Sequence, residues 1–204
     1  MNLRQLIITT KVVALGAVVL LTDSPIEAAE SLPSVTMLIA YHSSSGNTDK
    51  MAQGVADGAR KVSGIKVLLK RVGDVTAEDL LSSDAVVVGS PVYFGNMAGE
   101  VKTFFDNWNL KFQLSQDRKM VNKVGAAFAT AASISNGKEV TVLTILAAML
   151  LNQMIVVSGG GGFGATATTG PASPGIDDRE LAEASELGRR VAEVASVVKR
   201  GSNK

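Results

Sequence analysis

The residues of this 204-residue sequence that could do chemistry lie mainly in three polar loops. The first loop, Ser43-Ser-Ser-Gly-Asn-Thr48, lies between an apolar segment and a helical one. Gly46 can take the left-handed backbone that turns N–H groups inward, and hydroxyls beside a helix start can surround a phosphate. The loop lacks the lysine of a nucleoside-triphosphatase loop and does not match a dinucleotide fingerprint. It favours a phosphate monoester held by neutral donors, the alternative being a turn that only caps the helix.

The second loop, Ser90-Pro-Val-Tyr-Phe-Gly-Asn-Met97, follows the most apolar segment of the chain. Its proline stiffens the loop, and its glycine allows the backbone to approach a ligand closely. Val92, Tyr93 and Phe94 suit the edge and face of a planar aromatic ring. The alternative is that these three side chains pack beneath a neighbouring helix.

The third loop runs from Thr130 to Gly137, directly before a helical segment. Its hydroxyl, amide and main-chain donors could reach the polar edge of the ligand that the other two loops would hold. Taken alone, this loop is equally consistent with a plain connection between a strand and a helix.

Composition excludes several other classes of chemistry. The chain has no cysteine and a single histidine, His42. Disulfides, iron–sulfur clusters and cysteine nucleophiles are therefore excluded, and a histidine-built metal site or triad has too few residues. The net charge of +1 provides no electrostatic footprint for nucleic acid. If the chain is an enzyme, its chemistry is expected to come from a bound cofactor.

The elements that must position these loops are apolar strands alternating with amphipathic helices. Strands are predicted at residues 35–41, 65–71, 85–89, 124–129 and 154–157, and helices at 48–62, 99–109, 138–152 and 177–199. This alternation predicts an α/β fold with a five-stranded parallel sheet that has helices on both faces. Ligands bind beyond the carboxyl ends of such strands where the strand order reverses, so the three loops should meet there.

The first 29 residues differ from the rest of the chain. A basic start, an apolar run at residues 12–21 and a small-residue end predict a secretory signal peptide, too short to span a bilayer unaided. We therefore expect a leader over 1–29, a linker over 30–36 and one domain over 37–200. The protein would be periplasmic or membrane-associated, with membrane contact only through an uncleaved leader. Alternatively, translation starts near Met37 and the protein is cytoplasmic.

Residues 41–48, 90–106 and 162–166 together resemble the flavodoxin-like family, in particular the WrbA-type NAD(P)H:quinone oxidoreductases and related FMN reductases. The resemblance implies a flavodoxin-like sheet of strand order 2-1-3-4-5. It also implies an FMN cofactor, NADH or NADPH as the electron donor, and a small quinone-like acceptor. Hydride would pass from the nicotinamide to the flavin and then to the acceptor on the same ring face, without an obvious need for a side-chain general acid.

The resemblance also implies a role for each loop. The first loop would hold the FMN phosphate through Ser43, Ser45, Gly46, Asn47 and Thr48. The second would line the isoalloxazine ring with Pro91, Val92, Tyr93, Phe94, Gly95 and Asn96. The third would contact the polar ring edge and the ribityl chain through Thr130, Ala131, Ser133 and Gly137.

Two residues are candidates for contact with the acceptor. Tyr93 could stack on it. Quinone-reducing members of the family often carry a histidine just before the fifth strand. In this chain, Asn152 stands at the position expected for that histidine. Asn152 could therefore orient an acceptor carbonyl.

Two further expectations concern the function class and the assembly. The alternative to a reductase is a flavodoxin-type electron carrier without its own substrate, although such carriers tend to be strongly acidic and this chain is not. The helix at 138–152 is apolar almost all round, which predicts that a second copy covers its outer face. WrbA-like enzymes form dimers and tetramers, so we expect a homodimer or homotetramer.

Overall fold

The computed structural model describes residues 34–159, 162–170 and 175–202. The predicted leader and the first four residues of the predicted linker lie outside these ranges. The first strand begins at Val35 and the last helix ends at Ser202, so the folded part extends slightly beyond the predicted domain of 37–200. Among the described residues, no helix is both long enough and apolar enough to cross a membrane.

Strands and helices alternate along the chain as the apolar pattern predicts. In order, the elements are β1 (Val35–Tyr41), α1 (Asn47–Arg60), β2 (Ile65–Arg71), α2 (Ala77–Ser82), β3 (Ala85–Tyr93), β4 (Asn96–Met97), α3 (Gly99–Leu110), β5 (Val124–Ala131), α4 (Lys138–Leu151), β6 (Ile155–Val156), β7 (Ala165–Thr168) and α5 (Asp178–Ser202). The main sheet has the order β2-β1-β3-β5-β6 with parallel pairing. This confirms the predicted flavodoxin-like architecture.

Two hydrophobic layers cover the two faces of the sheet. Successive residues of β3 alternate between them: Val86 and Val88 pack with α3 and α4, while Ala85 and Val87 pack with α1 and α5. Because both faces of the central strands are buried, these strands are apolar throughout, as parallel strands under helices must be. Helices cover these strands along their length, so the polar loops at their carboxyl ends are the first residues that could contact a ligand.

The fifth strand differs from the prediction because it is split in two. The apolar run at 154–157 forms only the two-residue β6, which pairs with the start of β5. The next described pairing is that of β7 with the end of β5. Four consecutive glycines, residues 159–162, stand between the two segments in the sequence, and glycine is a poor strand former. The alanines and threonines of β7 gave too weak an apolar signal to be recognised.

Helix α2 was also missed because it is only six residues long. It begins with a capping box, in which the Thr76 hydroxyl accepts from the Asp79 N–H and the Asp79 carboxylate accepts from the Thr76 N–H. A threonine three residues before an aspartate is a recognisable helix-start signal. That signal could have identified α2 from the sequence.

Candidate functional site

The first loop adopts the backbone geometry that its glycine suggested. Gly46 has φ 86° and directly precedes α1, and its N–H donates to Ser43 Oγ at 3.1 Å. A side-chain carbon placed on Gly46 would meet nothing within 4 Å, so the space in front of the loop is open. The first N–H groups of α1 have no partner within the helix, and Gly46 has no side chain to cap them. The loop can therefore present N–H donors to an anion.

The side chains of the first loop supply hydroxyl and amide donors around the same space. Thr48 and Ser43 are buried, whereas Ser45 is exposed and receives a hydrogen bond from Asn47 Nδ2 at 3.2 Å. No lysine side chain contributes to this arrangement among the described contacts of the loop. A dianionic phosphate monoester suits such a neutral, donor-rich site at a helix start.

Two side chains that the sequence analysis did not select support the first loop from beneath. Arg71, at the end of β2, donates to the Ser43 carbonyl at 2.7 Å and lies 5.7 Å from the Tyr41 ring centroid. The Tyr41 hydroxyl donates to Asp49 in the first turn of α1. Burial, with the hydrogen bond to Asp49 as the next cause, raises the pKa of Tyr41 to about 12. Tyr41 therefore remains a donor across the physiological range.

The second loop is a β-hairpin rather than the irregular loop that we expected. β3 continues to Tyr93 and pairs with the short antiparallel β4, and the turn residues Phe94 and Gly95 have φ 48° and 81°. Two positive φ values in a two-residue turn match the geometry preferred in hairpins. Val92 is buried in the core, so its side chain does not line a ligand site, whereas Tyr93 and Phe94 are exposed.

The third loop approaches the hairpin so closely that only glycine fits. Gly137, with φ 90°, precedes α4, and a side-chain carbon there would lie 2.6 Å from the Gly95 carbonyl oxygen. Thr130 and Ala131 are buried at the end of β5, and Ser133 is exposed in the loop. The second and third loops therefore form one continuous surface.

Side-chain contacts connect the three loops to one another. Ser44 Oγ lies 2.7 Å from the Tyr93 hydroxyl, which joins the first loop to the hairpin. Thr48 Oγ1 lies 2.8 Å from Thr130 Oγ1, which joins the first loop to the third. Pro91 is the register partner of Thr130, so the pairing of β3 with β5 joins the remaining two. The prediction that the loops converge at the carboxyl ends of the strands is confirmed.

Helix α4 adds polar anchors that the sequence analysis also missed. Thr144 Oγ1 donates to Asn96 Oδ1 at 2.7 Å, which ties the hairpin to this helix. Lys138, buried at the start of α4, donates to Thr168 Oγ1 at the end of β7 at 2.6 Å. Both contacts hold the rim of the loop cluster in place. The sequence showed only a lysine directly after a loop glycine, and its burial comes from the structure.

Asn152 does not lie with these loops, contrary to our expectation. It ends α4, accepts from Ser115 Oγ at 2.8 Å and donates to the Ala148 carbonyl at 2.9 Å. With a rise of about 1.5 Å per residue, α4 separates it from Gly137 by about 20 Å. It lies near the amino ends of the strands, where it lines a groove of about 780 Å³ between α3 and α4. Its position just before β6 is as predicted, but its described hydrogen bonds go to Ser115 and Ala148 and not to the three loops.

Comparison with known proteins agrees with this geometry. Residues 75–168 match the family model of NADPH-dependent FMN reductase. An NAD(P)H dehydrogenase (quinone) of Archaeoglobus fulgidus is 33% identical over 193 residues, covering 78% of this chain and 96% of that protein. One from Geotalea uraniireducens is 31% identical, covering 78% and 97%.

Solved structures have the same fold. The crystal structure of a flavodoxin, WrbA-like protein from Agrobacterium tumefaciens superimposes with a TM-score of 0.67 at 27% identity, covering 79% of this chain and 98% of that one. An archaeal flavodoxin superimposes with a TM-score of 0.63 at 23% identity, covering 79% and 99%. The second likeness concerns the fold alone.

Proposed function

Because the chain belongs to the family of the NAD(P)H dehydrogenases (quinone), we propose that it is an FMN-dependent oxidoreductase that passes a hydride from NAD(P)H to a quinone or similar acceptor. The observation that carries this proposal is the convergence of the three loops, joined through the Ser44–Tyr93 and Thr48–Thr130 contacts. Bound FMN would supply the two-electron chemistry, and the protein would supply binding, orientation and electrostatics.

The residues present fit an FMN phosphate at the first loop. Open space in front of Gly46, uncapped N–H groups at the start of α1 and neighbouring hydroxyls provide donors without a competing carboxylate in the loop. The residues that would hold the phosphate are Ser43, Ser45, Gly46, Asn47 and Thr48. The positive end of the α1 dipole adds to the attraction for a dianion.

The hairpin and the third loop would hold the ring. Tyr93 and Phe94 are exposed aromatic side chains at the rim, so they can cover a planar group and exclude water from it. Asn96 is oriented by its bond from Thr144. On the hairpin side, the ring site would be completed by Pro91, Gly95 and the main chain of Val92. On the opposite side, it would be formed by residues of the third loop: Thr130, Ala131, Ser133 and Gly137. N–H donors there can bond the polar ring edge.

NAD(P)H and the acceptor would use the same exposed face in turn. Tyr93 is exposed enough to stack on either of them. The oxidised nucleotide would then leave before the acceptor binds, which gives ping-pong kinetics.

The test of this function is the visible spectrum of the purified protein, recorded under nitrogen before and after addition of NADH or NADPH. We expect a flavin spectrum that is bleached within the mixing time and restored by a quinone. A protein that neither contains FMN nor takes it up would contradict the proposal.

A flavodoxin-type electron carrier is the second candidate. A flavodoxin of Clostridium saccharobutylicum is 32% identical over 126 residues, which cover 62% of this chain and 74% of that protein. A carrier would bind FMN but would not be reduced by either nucleotide. The net charge of +1 disfavours this candidate, because carriers of this type tend to be strongly acidic.

We also propose a homodimer or homotetramer. The outer face of α4 is an uncovered apolar surface formed by Val140, Leu143, Ala147, Leu150 and Leu151. Surfaces of this kind mark interaction sites, and closed two-fold association would bury this patch twice.

For the N-terminal region we propose a cleavable leader over residues 1–29 and export to the periplasm or the membrane surface. The position of Met37 supports a translation start further upstream, because Met37 lies within β1 and its side chain is fully buried. A chain that begins there would lack Val35, which is buried, and Thr36, whose N–H donates to Asp84. A chain that starts at Met37 would therefore lack the beginning of β1.

A further inference from the structure

Four polar side chains form a connected line at the exposed rim of the loop cluster. Ser44 Oγ lies 2.7 Å from the Tyr93 hydroxyl and 3.2 Å from His42 Nε2. The same His42 nitrogen lies 3.6 Å from Glu100 Oε1. The line thus begins at a carboxylate and ends at the hydroxyl of a residue that borders the proposed ring site.

The fold holds this line through elements that are far apart in sequence. His42 directly follows β1, and its main-chain N–H donates to the Gly89 carbonyl at 3.2 Å, so the pairing of β1 with β3 positions it. Its ring stands edge-on to the Tyr93 ring, with centroids 6.3 Å apart. Glu100 lies in the first turn of α3 with 56% of its side chain exposed, whereas His42 is only 18% exposed. Glu100, Ser44 and Tyr93 are exposed, so His42 is the least exposed member of the line.

Reduction of a quinone to a hydroquinone consumes two electrons and two protons. The hydride that originates on NAD(P)H carries both electrons and one of the protons. The second proton must reach an acceptor oxygen from an acid, and proton transfer from a positioned side chain accelerates such steps. The sequence alone indicated no side-chain acid for this purpose.

We propose that Tyr93 donates this second proton and that Ser44, His42 and Glu100 replace it from solvent. The proposal rests on the proposed quinone-reducing function. The Tyr93 O–H bond breaks as an O–H bond forms on the acceptor, and the resulting phenolate takes the proton of the Ser44 hydroxyl.

His42 completes the transfer through Nε2, which lies 3.6 Å from Glu100 Oε1. Its Nε2 takes a proton from water at the exposed Glu100 carboxylate and passes it to the Ser44 oxygen. The other ring proton stays on Nδ1 throughout. The net change is one proton moved from solvent to the acceptor.

Three side chains face His42 from the elements packed around it. They are Glu100 from α3, Tyr93 from the hairpin and Ser44 from the first loop. Arg71 from β2 bonds the neighbouring Ser43 carbonyl and is the nearby cation among the described contacts.

The kinetic test separates the two half-reactions in stopped-flow experiments on the FMN-loaded full chain. His42→Gln, Ser44→Ala and Tyr93→Phe should each slow reoxidation by a quinone by about tenfold or more. Reduction by NAD(P)H should change by less than about twofold in His42→Gln and Ser44→Ala, because no proton passes along this line in that step.

A second readout does not depend on turnover. His42 is the only histidine, so its ring nitrogens give a single set of NMR signals in the oxidised, FMN-loaded protein. Ser44→Ala and Glu100→Gln should each shift the Nε2 signal. The control is Glu78→Gln, which changes a first-turn glutamate of α2 outside the line and should leave the signal in place.

The outcomes are distinct. Unchanged reoxidation rates in all three variants, with FMN still bound, would overturn the proton path while leaving the reductase function intact. An unchanged His42 signal in Ser44→Ala would also overturn it. A parent protein whose FMN ignores both nucleotides would reject the reductase function, and the proton path together with it.

Discussion

Gly46 is the residue on which the geometry of the first loop depends most directly. Its φ of 86° lies in the left-handed region, where a side chain is strained. The space beside its α-carbon is open, so a substitution there meets no protein atom. The cost of a side chain at this position should therefore fall on the loop conformation and on the ligand rather than on the core.

We predict that Gly46→Val weakens FMN binding by at least about tenfold, or about 1.4 kcal/mol. The branched side chain disfavours the left-handed backbone and extends into the space that the phosphate needs. Fluorescence titration of the protein with FMN would measure the change.

Gly201→Val is the matched control for this prediction. Gly201 also has open space around its α-carbon, but it lies near the end of α5 with an ordinary backbone conformation. This variant should bind FMN like the parent. Equal affinity in Gly46→Val would contradict the assignment of the phosphate to the first loop.

At the scale of single elements, α2 depends on its capping box. Burial alone would raise the pKa of Asp79, but hydrogen bonds from Lys70 and Thr76 outweigh it and lower the pKa. A carboxyl group with a lowered pKa stabilises the fold above its unfolded-state pKa, and this contribution is lost as the pH falls through the folded-state pKa. The cap of α2 should therefore weaken in acid.

We predict that Asp79→Asn lowers the free energy of unfolding by about 1 kcal/mol at neutral pH. The difference from the parent should shrink as the pH falls below the usual carboxyl range, because the parent then loses the same charge. Urea unfolding at several pH values would measure it. Asp57→Asn, at an exposed ion pair with Arg60, should cost at most about 0.5 kcal/mol. A difference for Asp79→Asn that does not vary with pH would contradict the argument.

The elements also mark where sequence reasoning succeeded and where it failed. Long apolar strands and the loops at their carboxyl ends were predicted correctly, because burial on both faces leaves a strong signal. The hairpin at Phe94–Gly95 was not predicted, because β4 has only two residues and a phenylalanine with positive φ leaves no recognisable turn pattern in the sequence. The position of Asn152 before the fifth strand was predicted correctly, but a match to a family position does not reveal which side chains it will contact. The Ser44–Tyr93 contact joins residues 49 positions apart and has no local signature.

Helix α4 connects the element scale to the assembly. We predict that Leu143→Glu together with Leu151→Glu converts the protein to a monomer. Association through α4 would then bury carboxylates that have no opposite charge beside them, which is costly. Sedimentation equilibrium at low micromolar concentration would measure the mass.

Val197→Glu is the control for this pair of substitutions, since Val197 is an exposed residue of α5. It should leave the assembly unchanged. A parent protein that sediments as a monomer would contradict the proposed dimer or tetramer.

At the scale of the whole molecule, the fold should be complete without the leader. We predict that a chain starting at Ser34 is soluble and binds FMN like the full chain, since β1 and the bond from Lys199 to the Ser34 carbonyl are retained. A chain starting at Met37 should be less stable by at least about 1.5 kcal/mol, because it loses the buried Val35. Thermal unfolding of both would measure this. Equal stability of the two truncations would contradict the role given to Val35 and Thr36.

The split fifth strand has a consequence for aggregation through the edges of the sheet. An open sheet exposes unpaired backbone at its edges, and long flat edges recruit strands from other molecules into fibrils. Here one edge consists of the very short β6 and β7, while β2 on the other edge carries Lys66, Lys70 and Arg71. Neither edge of the described sheet offers a long uncharged template for such growth. Concentrated protein should therefore resist amyloid-like aggregation even while the helical face of α4 remains available to a neighbour.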